Sequence, residues 1–306
     1  MTIHKSVLLK ETIDGLALRV GDTVVDATIG GGGHSAEICE RFGKSIKIIG
    51  LDADAGALAK AEARLQGLDC DFTAKLSNFR DLGKVLADLK ISQVDKVLAD
   101  LGLSTFQLEE FGRGFSFQKD EPLLMTFKSS PDKEDVTAGD IVNDWAEESI
   151  TQILWGYGEE RYGRKISKAI AEARKIKRIE TTTELVEIIR QAVPKSYLRQ
   201  KTHFATRTFQ ALRIATNDEL RTLSEFLKTA FQYLKPGGRI AIITFHSLED
   251  RIVKRFFSAK GGSASGGKEN RVARLINKKP IIPQAEELRE NKRARSAKLR
   301  IIEKIS

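Results

Sequence analysis

The stretch Val24–Ser35, which reads VVDATIGGGGHS, decides the fold of this 306-residue chain. A short β-branched run ends in the carboxylate of Asp26, breaks into four glycines and restarts as a helix-like segment. Glycine is favoured where the backbone takes a positive φ, or where a ligand lies against the main chain with no Cβ between them. In doubly wound α/β sheets, a strand, a glycine loop and a helix in this order hold a nucleotide-like ligand. The stretch therefore predicts a ligand-binding loop.

The first hundred residues alternate between short apolar runs and Ala- and Leu-rich stretches, which is the rhythm of βαβ units. The runs predict four strands, at Thr23–Ala27, Lys47–Asp52, Asp71–Ala74 and Val94–Asp100. The stretches between them predict three helices, at Ser35–Phe42, Ala55–Leu65 and Leu82–Leu89. Strands joined by helical crossovers form a parallel sheet with right-handed connections, so we predict an α/β fold.

The rhythm stops after the fourth strand. From about residue 106 to about residue 201 the pattern predicts a Gly-rich loop and helices, at Glu148–Trp155, Arg161–Ile176 and Thr183–Ala192, with Thr137 capping an earlier one. We therefore predict that a helical insertion over residues 106–204 separates a first part of the α/β domain, residues 1–105, from a second part, residues 205–306.

The second part of the α/β domain begins with a long predicted helix, Thr206–Tyr233. The sequence Lys235-Pro236-Gly237-Gly238 then precedes a strand pattern at Arg239–Phe245, which returns the chain to the sheet. A flexible loop over Gly261–Gly267 and a last edge strand over Lys298–Ile305 are predicted beyond it.

Hydrophobic residues make up 41% of the chain and charged residues 30%, as in ordinary soluble proteins. No run approaches the roughly 20 apolar residues of a membrane span, and the N-terminus lacks the apolar core of a signal peptide. Cys39 and Cys70 are the only cysteines, and they lie in dissimilar contexts without a zinc-site spacing. We therefore expect no disulfide framework, no metal site, no membrane partner and a cytoplasmic location.

The net charge of +9 is spread unevenly. Residues 151–205 hold 12 Lys or Arg against 6 Asp or Glu, and residues 251–306 hold 16 against 5, so the rest of the chain is net acidic. Such asymmetry favours a polyanionic partner, because each phosphate neutralised releases condensed counterions. The alternative is a solvated basic surface without a partner.

The glycine loop suits two cofactors, a nicotinamide dinucleotide and S-adenosylmethionine, since in both an acid after the second strand accepts hydrogen bonds from ribose. Asp52 has that position. A nicotinamide site predicts GxGxxG, whereas these glycines are consecutive, and a P-loop is excluded because no Gly-Lys-Ser/Thr follows. Asp26 beside the loop suits a sulfonium or ammonium group and so favours S-adenosylmethionine. A tight turn without a ligand is the remaining alternative.

The segment Asp26–Ser35 resembles the first motif of the bacterial small-subunit ribosomal RNA cytosine-N4 methyltransferases, a family often called methyltransferase H. Six further stretches resemble that family's motifs in the same order, over nearly the whole chain: Asp100–Ser104, Arg113–Phe117, Tyr157–Arg161, Ala205–Ile214, Phe245–Phe257 and Arg293–Ser296. The resemblance implies a class I S-adenosylmethionine-dependent methyltransferase, with a Rossmann-like α/β sheet and an inserted helical domain for substrate recognition. It implies methylation of one cytosine, position 1402 of 16S rRNA near the decoding centre, in the assembled small subunit. A homodimer is compatible with it.

The resemblance places the cofactor contacts on seven residues: Gly32, Gly33, His34, Asp52, Phe79, Asp100 and Gln107. Phe79 either gives an aromatic face to adenine or packs in the core. Methyl transfer from a sulfonium is a direct displacement, so placement and electrostatics supply most of the catalysis. Cytosine N4 is a poor nucleophile, because its lone pair is delocalised into the ring, and it must lose a proton. Asp100 is the candidate catalytic residue that receives the proton; its alternatives are a turn cap and a cofactor contact.

Five residues are predicted to bind substrate: Arg113, Phe115, Phe117, Arg207 and His246. The first three combine a cation with two aromatic rings, which suits a stacked base; the alternative is that they anchor the insertion. Arg207 and Arg213 do not share a helix face, so we expect at most one of them to meet phosphate.

Two further expectations concern helices. Beside His246, the pair Ser247 and Asp250 has the spacing of a capping box. In the basic helix over residues 161–176, Lys165, Lys168 and Lys175 are expected to contact RNA.

Two stretches depart from the family pattern. Thr105-Phe106 replaces Ser-Pro, and Leu124-Met125-Thr126-Phe127 replaces Asp-Met-Arg-Met in a loop expected to face substrate. The loss of an acid and an arginine there bears on target geometry or rate. The alternative function is a non-catalytic RNA-binding or ribosome assembly factor that retains the fold.

Overall fold

The computed structural model describes residues 6–102, 112–128, 131–262 and 271–306. These residues form a seven-stranded sheet with the order β3-β2-β1-β4-β5-β7-β6. The strands are β1 Thr23–Asp26, β2 Lys47–Asp52, β3 Asp71–Leu76, β4 Val94–Asp100, β5 Leu234–Thr244, β6 Ala273–Leu275 and β7 Lys298–Lys304. Strands β1 to β5 are parallel, and β7 is antiparallel to both of its neighbours. The four strands predicted in the first hundred residues are confirmed.

The helices alternate with these strands or follow one another in the middle of the chain. They are α1 Leu9–Leu16, α2 Gly33–Phe42, α3 Ala55–Gln66, α4 Leu82–Asp88, α5 Ala138–Asp144, α6 Glu147–Gly156, α7 Gly163–Ala173, α8 Thr182–Ala192, α9 Lys195–Leu198, α10 Thr206–Asn217, α11 Glu219–Tyr233, α12 Ser247–Lys260 and α13 Ala285–Glu290. Among the described helices, none is both long and apolar enough to cross a membrane.

The sheet is covered on both faces, as the near-continuous apolar runs of its strands require. Successive strand residues point to opposite faces. Val24 and Ile48 accordingly belong to one hydrophobic cluster, with residues of α2 and α3, whereas Val25 and Ile49 belong to another, with residues of α4 and α11. The carboxyl ends of β1, β2 and β4 remain at one edge of this double-layered core, because the strands are parallel neighbours.

The last strand is not the edge strand that the sequence predicted. β7 lies between β5 and β6, and the short β6 forms the edge. Leu299, Ile301 and Ile302 of β7 are buried and face both sides of the sheet, which is the pattern of an interior strand.

The helix predicted over Thr206–Tyr233 is two helices, α10 and α11. Asp218 between them has a φ of 48°, a left-handed conformation in which a right-handed helix cannot continue. The preceding Asn217 donates from Nδ2 to the carbonyl of Met125 at 2.7 Å and accepts at Oδ1 from the N–H of Phe127 at 2.8 Å. These tertiary hydrogen bonds fix the end of α10, and helix periodicity gives no sign of them.

The chain divides into two compact units, a sheet unit of Met1–Ser104 and Leu220–Ser306 and a helical unit of Thr105–Glu219. The sequence placed residue 205 and everything after it with the sheet. Instead α10 belongs to the helical unit, where it packs against α5 and α6 through Phe209, Leu212 and Ile214. An amphipathic pattern reveals the buried face of a helix but not which core that face joins. Thr137 caps α5 as predicted, in a capping box with Asp140.

Cys39 and Cys70 form a disulfide, contrary to the expectation from sequence. Their Cα atoms lie 5.4 Å apart, although 31 residues separate them along the chain. Cys39 lies on α2 and Cys70 directly precedes β3, and both pack in the same hydrophobic cluster. Their proximity follows from the packing of α2 beside the start of β3, for which spacing and sequence context give no signal.

Candidate active site

The glycine loop leaves the carboxyl end of β1 and enters α2. Gly30 and Gly32 have φ values of 51° and 74°, a region that disfavours residues with a Cβ. A Cβ on Gly32 would also lie 3.2 Å from the Cα of Ala61. On Gly31, by contrast, a Cβ would meet no atom within 4 Å. Gly30 and Gly32 are therefore needed for the backbone path, and Gly31 leaves main chain accessible to a ligand.

The helix that follows the loop presents backbone amides. α2 begins at Gly33, and the first N–H groups of a helix have no carbonyl partner within it. The His34 side chain is only 5% exposed, and its Nε2 lies 3.1 Å from the carbonyl oxygen of Val7. The His34 ring thus ties the N-terminal segment to α2. A ligand contact at His34 is left to its backbone N–H.

Asp52 ends β2 beside the loop. Its Oδ2 accepts a hydrogen bond from the N–H of Gly30, and its Oδ1 accepts one from the N–H of Asp54, both at 2.9 Å. Burial raises the pKa of Asp52 to about 6, although these hydrogen bonds oppose the shift. The carboxyl group is therefore fixed between the loop and the N-terminus of α3.

Asp26 ends β1 on the other side of the loop. Its Oδ2 accepts a hydrogen bond from Ser35 Oγ at 2.7 Å, and the N–H of Thr28 lies 3.4 Å from its Oδ1. Burial raises the pKa of Asp26 to about 6; the bonds from Ser35 and Thr28 lower it, and the charge of Asp52 raises it. A buried acid, Asp26, and a half-buried acid, Asp52, thus flank the glycine loop.

Asp100 ends β4, the strand beside β1. Its N–H donates to Thr28 Oγ1 at 2.6 Å, whereas its Oδ1 is buried without a hydrogen-bond partner among the described residues. Burial raises the pKa of Asp100 well above its ordinary value, and the charges of Asp26, Glu249 and Glu287 raise it further. A buried oxygen left unpaired costs free energy, so it marks a candidate ligand contact.

Thr28 is a supporting residue that the sequence interpretation missed. Its hydroxyl holds the backbone of Asp100, and its N–H points to Asp26. The sequence feature that could have revealed Thr28 is its position, because it is a hydroxyl residue between the acid at the end of a strand and a run of glycines.

Phe79 opens a 3-10 turn after β3 and is half-buried. Its ring meets that of Phe226 edge-on, with centroids 5.1 Å apart. One side of the Phe79 ring therefore packs in the hydrophobic core, and the rest of the ring stays accessible for an adenine. Gln107 lies outside the described residues, as do Thr105 and Phe106.

His246, and not Ser247, is the N-cap of α12. The Glu249 N–H lies 3.4 Å from His246 Nδ1, and Glu249 Oε2 accepts from the His246 N–H at 3.2 Å, which makes a capping box. His246 Nε2 also lies 3.2 Å from Glu249 Oε1. The capping box predicted for Ser247 and Asp250 is thus displaced by one residue, because Asp250 pairs with Arg300 at 2.6 Å. Both ring nitrogens of His246 lie close to Glu249, but Nε2 is buried without a hydrogen-bond partner among the described residues.

In the helical unit, Arg113 and Phe115 are buried, with exposed fractions of 5% and 8%. Arg113 Nη2 donates to the carbonyl oxygens of Thr126 at 2.9 Å and Phe127 at 2.5 Å, and the Phe115 ring stacks on that of Phe127. Arg113 and Phe115 therefore hold their own loop together, which favours the alternative that they anchor the insertion over a rim for a stacked base. The divergent stretch at 124–127 is part of the same packing, with Met125 buried.

Phe117 is half-buried and stacks on His203, with ring centroids 4.5 Å apart and an angle of 8° between the planes. Arg213 makes a bidentate ion pair with Glu219, at 2.7 and 2.8 Å. Arg207 is exposed and donates from Nη1 to the carbonyl oxygen of Glu159 at 2.6 Å. Of the two arginines, only Arg207 therefore remains available for a phosphate, in line with the expectation that at most one would be.

The sheet order, the antiparallel β7 and a glycine loop between β1 and α2 define a class I, Rossmann-like methyltransferase fold. The model of the MraW methylase family matches residues 1–305. The chain belongs to the MraW methylase family.

Two relatives match over almost their full length. Each is named "Ribosomal RNA small subunit methyltransferase H". The one from Brevibacillus brevis is 44% identical and the one from Carboxydothermus hydrogenoformans 47%, each over 99% of this chain and 98% of the relative. A solved structure described as a putative rRNA-methylase from Clostridium thermocellum is 16% identical over 100% of both chains, with a TM-score of 0.47. That structural likeness carries no weight in the assignment.

Proposed function

We propose that this protein transfers a methyl group from S-adenosylmethionine to N4 of a cytosine in the 16S rRNA of the small ribosomal subunit. The observation that carries the proposal is membership of the MraW methylase family over residues 1–305, together with the names of relatives at 44% and 47% identity. The expected target is position 1402, on an assembled subunit in the cytoplasm.

The residues at the carboxyl ends of β1, β2 and β4 fit S-adenosylmethionine. Gly31 leaves room beside the main chain, and the buried Asp100 Oδ1 lacks a partner among the described residues. We assign Asp52 to the ribose hydroxyls and Phe79 to the adenine. The backbone of Gly32, Gly33 and His34 is assigned to the part of the cofactor that lies against the loop, although the N–H of Gly32 itself donates to the carbonyl of Ile29 at 2.8 Å. Bound there, the cofactor supplies an electrophilic methyl group carried on a sulfonium.

Asp26 and Asp100 supply negative charge close to the loop, which favours a cationic ligand over a pyrophosphate. This is the physical reason to prefer S-adenosylmethionine to a nicotinamide dinucleotide. The same charge stabilises a transition state in which positive charge moves toward the acceptor nitrogen.

We assign Asp100 as the acceptor of the proton that leaves cytosine N4. Burial raises the pKa of Asp100 well above its ordinary value, which makes its carboxylate a stronger base than a solvent-exposed aspartate. Substrate recognition is assigned to the helical unit, with Phe117 for base stacking and Arg207 for a phosphate. His246 is assigned a contact with the base, and its Nε2 has no hydrogen-bond partner among the described residues.

Two measurements on the same preparation test this function. S-adenosylmethionine titrated by calorimetry should bind at one site per chain, and labelled methyl should then pass to small subunits that lack the modification. Binding without transfer would favour the alternative, a ribosome assembly factor that retains the fold. Binding of a nicotinamide dinucleotide in place of S-adenosylmethionine would overturn the cofactor assignment.

A further inference from the structure

The exposed face of α7 carries a row of cations. Three helical residues, Arg164, Lys165 and Lys168, follow the spacing i, i+1 and i+4 on its exposed side. A fourth cation, Arg161, lies two residues before the helix begins. All four are exposed, whereas the opposite face buries Ile166 and Ile170. At 1.5 Å of rise per residue, the three helical cations extend over about 6 Å of the helix axis.

Little negative charge offsets this row. Within the described parts of the chain, Arg161, Arg164 and Lys165 form no ion pair, and Lys168 meets Glu172 only at 3.8 Å. The first turn of α7 contains no acidic residue. Neighbouring cations repel one another, and cations near a helix N-terminus oppose the helix dipole, so the arrangement costs stability in the free protein. An anionic partner removes that cost.

An aromatic ring lies beside the row. Trp155, at the end of α6, is 48% exposed. Its ring lies against the start of α7, where a Cβ on Gly163 would be 2.8 Å from its Cδ1. The Arg164 guanidinium lies 6.0 Å from the ring centroid. An exposed ring with cations at its side is the arrangement that stacks an unpaired base while holding the adjoining phosphates.

Within the residues that the structure describes, Arg161 contacts two ring faces and no carboxylate. Its guanidinium lies 4.9 Å from the centroid of Tyr162 and 4.8 Å from that of Tyr197. Tyr197 Oη in turn donates to the fully buried Glu160 at 2.6 Å, which fixes its ring. Cation–π contacts of this kind orient a guanidinium without occupying its N–H donors, so Arg161 is preorganised for a phosphate.

We propose that this basic–aromatic surface, formed by Trp155, Arg161, Arg164, Lys165 and Lys168, binds the phosphates of a ribosomal RNA strand and stacks one unpaired base on Trp155. The proposal rests on the proposed function, from which it takes ribosomal RNA as the substrate. The residues of this surface differ from those that the sequence predicted to contact RNA. Lys175 lies beyond the C-terminal end of α7, away from Trp155, and is not part of the surface, whereas Trp155, Arg161 and Arg164, at or near the start of the helix, are added.

A charge-matched pair of variants tests the phosphate contacts. Arg164→Gln/Lys165→Gln/Lys168→Gln removes three cations from the surface, and Lys84→Gln/Lys90→Gln/Lys228→Gln removes three exposed cations from the sheet unit. Binding to unmodified small subunits is measured between about 50 and 200 mM salt. At about 0.7 per contact, the surface variant should reduce the slope of log affinity against log salt by about 2 and weaken binding at least tenfold. The control should match wild type.

The failures of the two proposals are distinguishable. Both variants should retain wild-type affinity for S-adenosylmethionine, which reports on the sheet unit and on folding. If wild type neither binds nor methylates subunits, the proposed function fails. If wild type binds subunits and the surface variant keeps the wild-type salt slope, the surface proposal alone is overturned.

Trp155 provides a direct test of stacking. Trp145 is the other of the two tryptophans, so Trp145→Phe leaves Trp155 as a single fluorophore. Unmodified small subunits should quench its emission, and vesicles of anionic phospholipid should leave it unchanged. Quenching by vesicles without quenching by subunits would overturn the proposal and indicate a membrane surface as the partner.

Discussion

At the residue scale, the site depends on three aspartates that are far apart in sequence and end neighbouring strands. Asp26 is buried and Asp52 and Asp100 are half-buried beside the loop, and loss of solvation is the first cause of the raised pKa in each. Buried acids without a cation are unfavourable in the free protein, so a positively charged ligand gains from their charge.

Replacing Asp52 tests the ribose contact. Asp52→Ala removes the proposed acceptor of the ribose hydroxyls, and the affinity for S-adenosylmethionine should fall at least tenfold, since a hydrogen bond to a charged group contributes roughly 1.5–3 kcal/mol. The fold should persist, because a carboxyl with a raised pKa stabilises the folded state little at neutral pH. Calorimetry measures the affinity and circular dichroism the fold. Asp88→Ala, at an exposed position, is the control; an unchanged affinity for Asp52→Ala would contradict the assignment.

At the element scale, the strand–loop–helix unit separates glycines that shape the backbone from one, Gly31, that leaves open space beside the main chain. Gly32→Ala places a Cβ at a φ of 74° and 3.2 Å from the Cα of Ala61, so the free energy of unfolding should fall by about 1–3 kcal/mol. Gly31→Ala meets no atom within 4 Å, so its stability should stay near that of wild type while cofactor affinity falls. Urea denaturation and calorimetry give the two quantities. Equal loss of stability in both variants would refute this division.

The disulfide is a second feature at the element scale, since it joins α2 to the start of β3. Closing a loop of 31 residues restricts the unfolded chain, which corresponds to about 3–4 kcal/mol in the chain-entropy model. Reductant should therefore lower the denaturation midpoint of wild type and leave Cys39→Ser/Cys70→Ser unaffected. Two reactive thiols in protein unfolded without reductant would show that the bond is absent in solution.

At the scale of the whole molecule, the same buried acids shape the dependence of stability on pH. The folded-state pKa of Asp26 and of Asp52 is about 6, against an ordinary value of 3.8. Between these values the folded state binds more protons than the unfolded state, so stability falls as pH rises from about 4 to about 6. Each carboxyl accounts for a fall in the free energy of unfolding on the order of 3 kcal/mol over this pH range, at 1.36 kcal/mol per pKa unit.

The acids in surface ion pairs act in a different range of pH. Asp144 and Glu303 have lowered pKa values, so their contribution is lost only as pH falls below about 4. Chemical denaturation of cofactor-free protein at intervals from pH 4 to 7 should therefore show the fall in the free energy of unfolding that Asp26 and Asp52 cause. Asp52→Asn should make that fall smaller. A variant that follows the wild-type curve throughout this range would disprove the shift.

Local sequence patterns were sufficient for the parts of the molecule that depend on near neighbours. The β1–α2–β2 unit, its glycine loop and the acid at the end of β2 were predicted because strand and helix periods are properties of a few consecutive residues. Candidate ligands at Asp26, Asp52 and Asp100 followed as well, since parallel strands bring their carboxyl ends to one edge.

Only the tertiary structure decided features that depend on residues distant in sequence. It placed β7 inside the sheet, ended α10 through the hydrogen bonds of Asn217, joined Cys39 to Cys70, and buried Arg113 against the carbonyls of Thr126 and Phe127. In each case the deciding energy is a contact between segments far apart along the chain, and a residue's type does not reveal its partner. The sequence alone determined the class of fold and the composition of the loop; burial and long-range pairing determined which side chains remain available for chemistry.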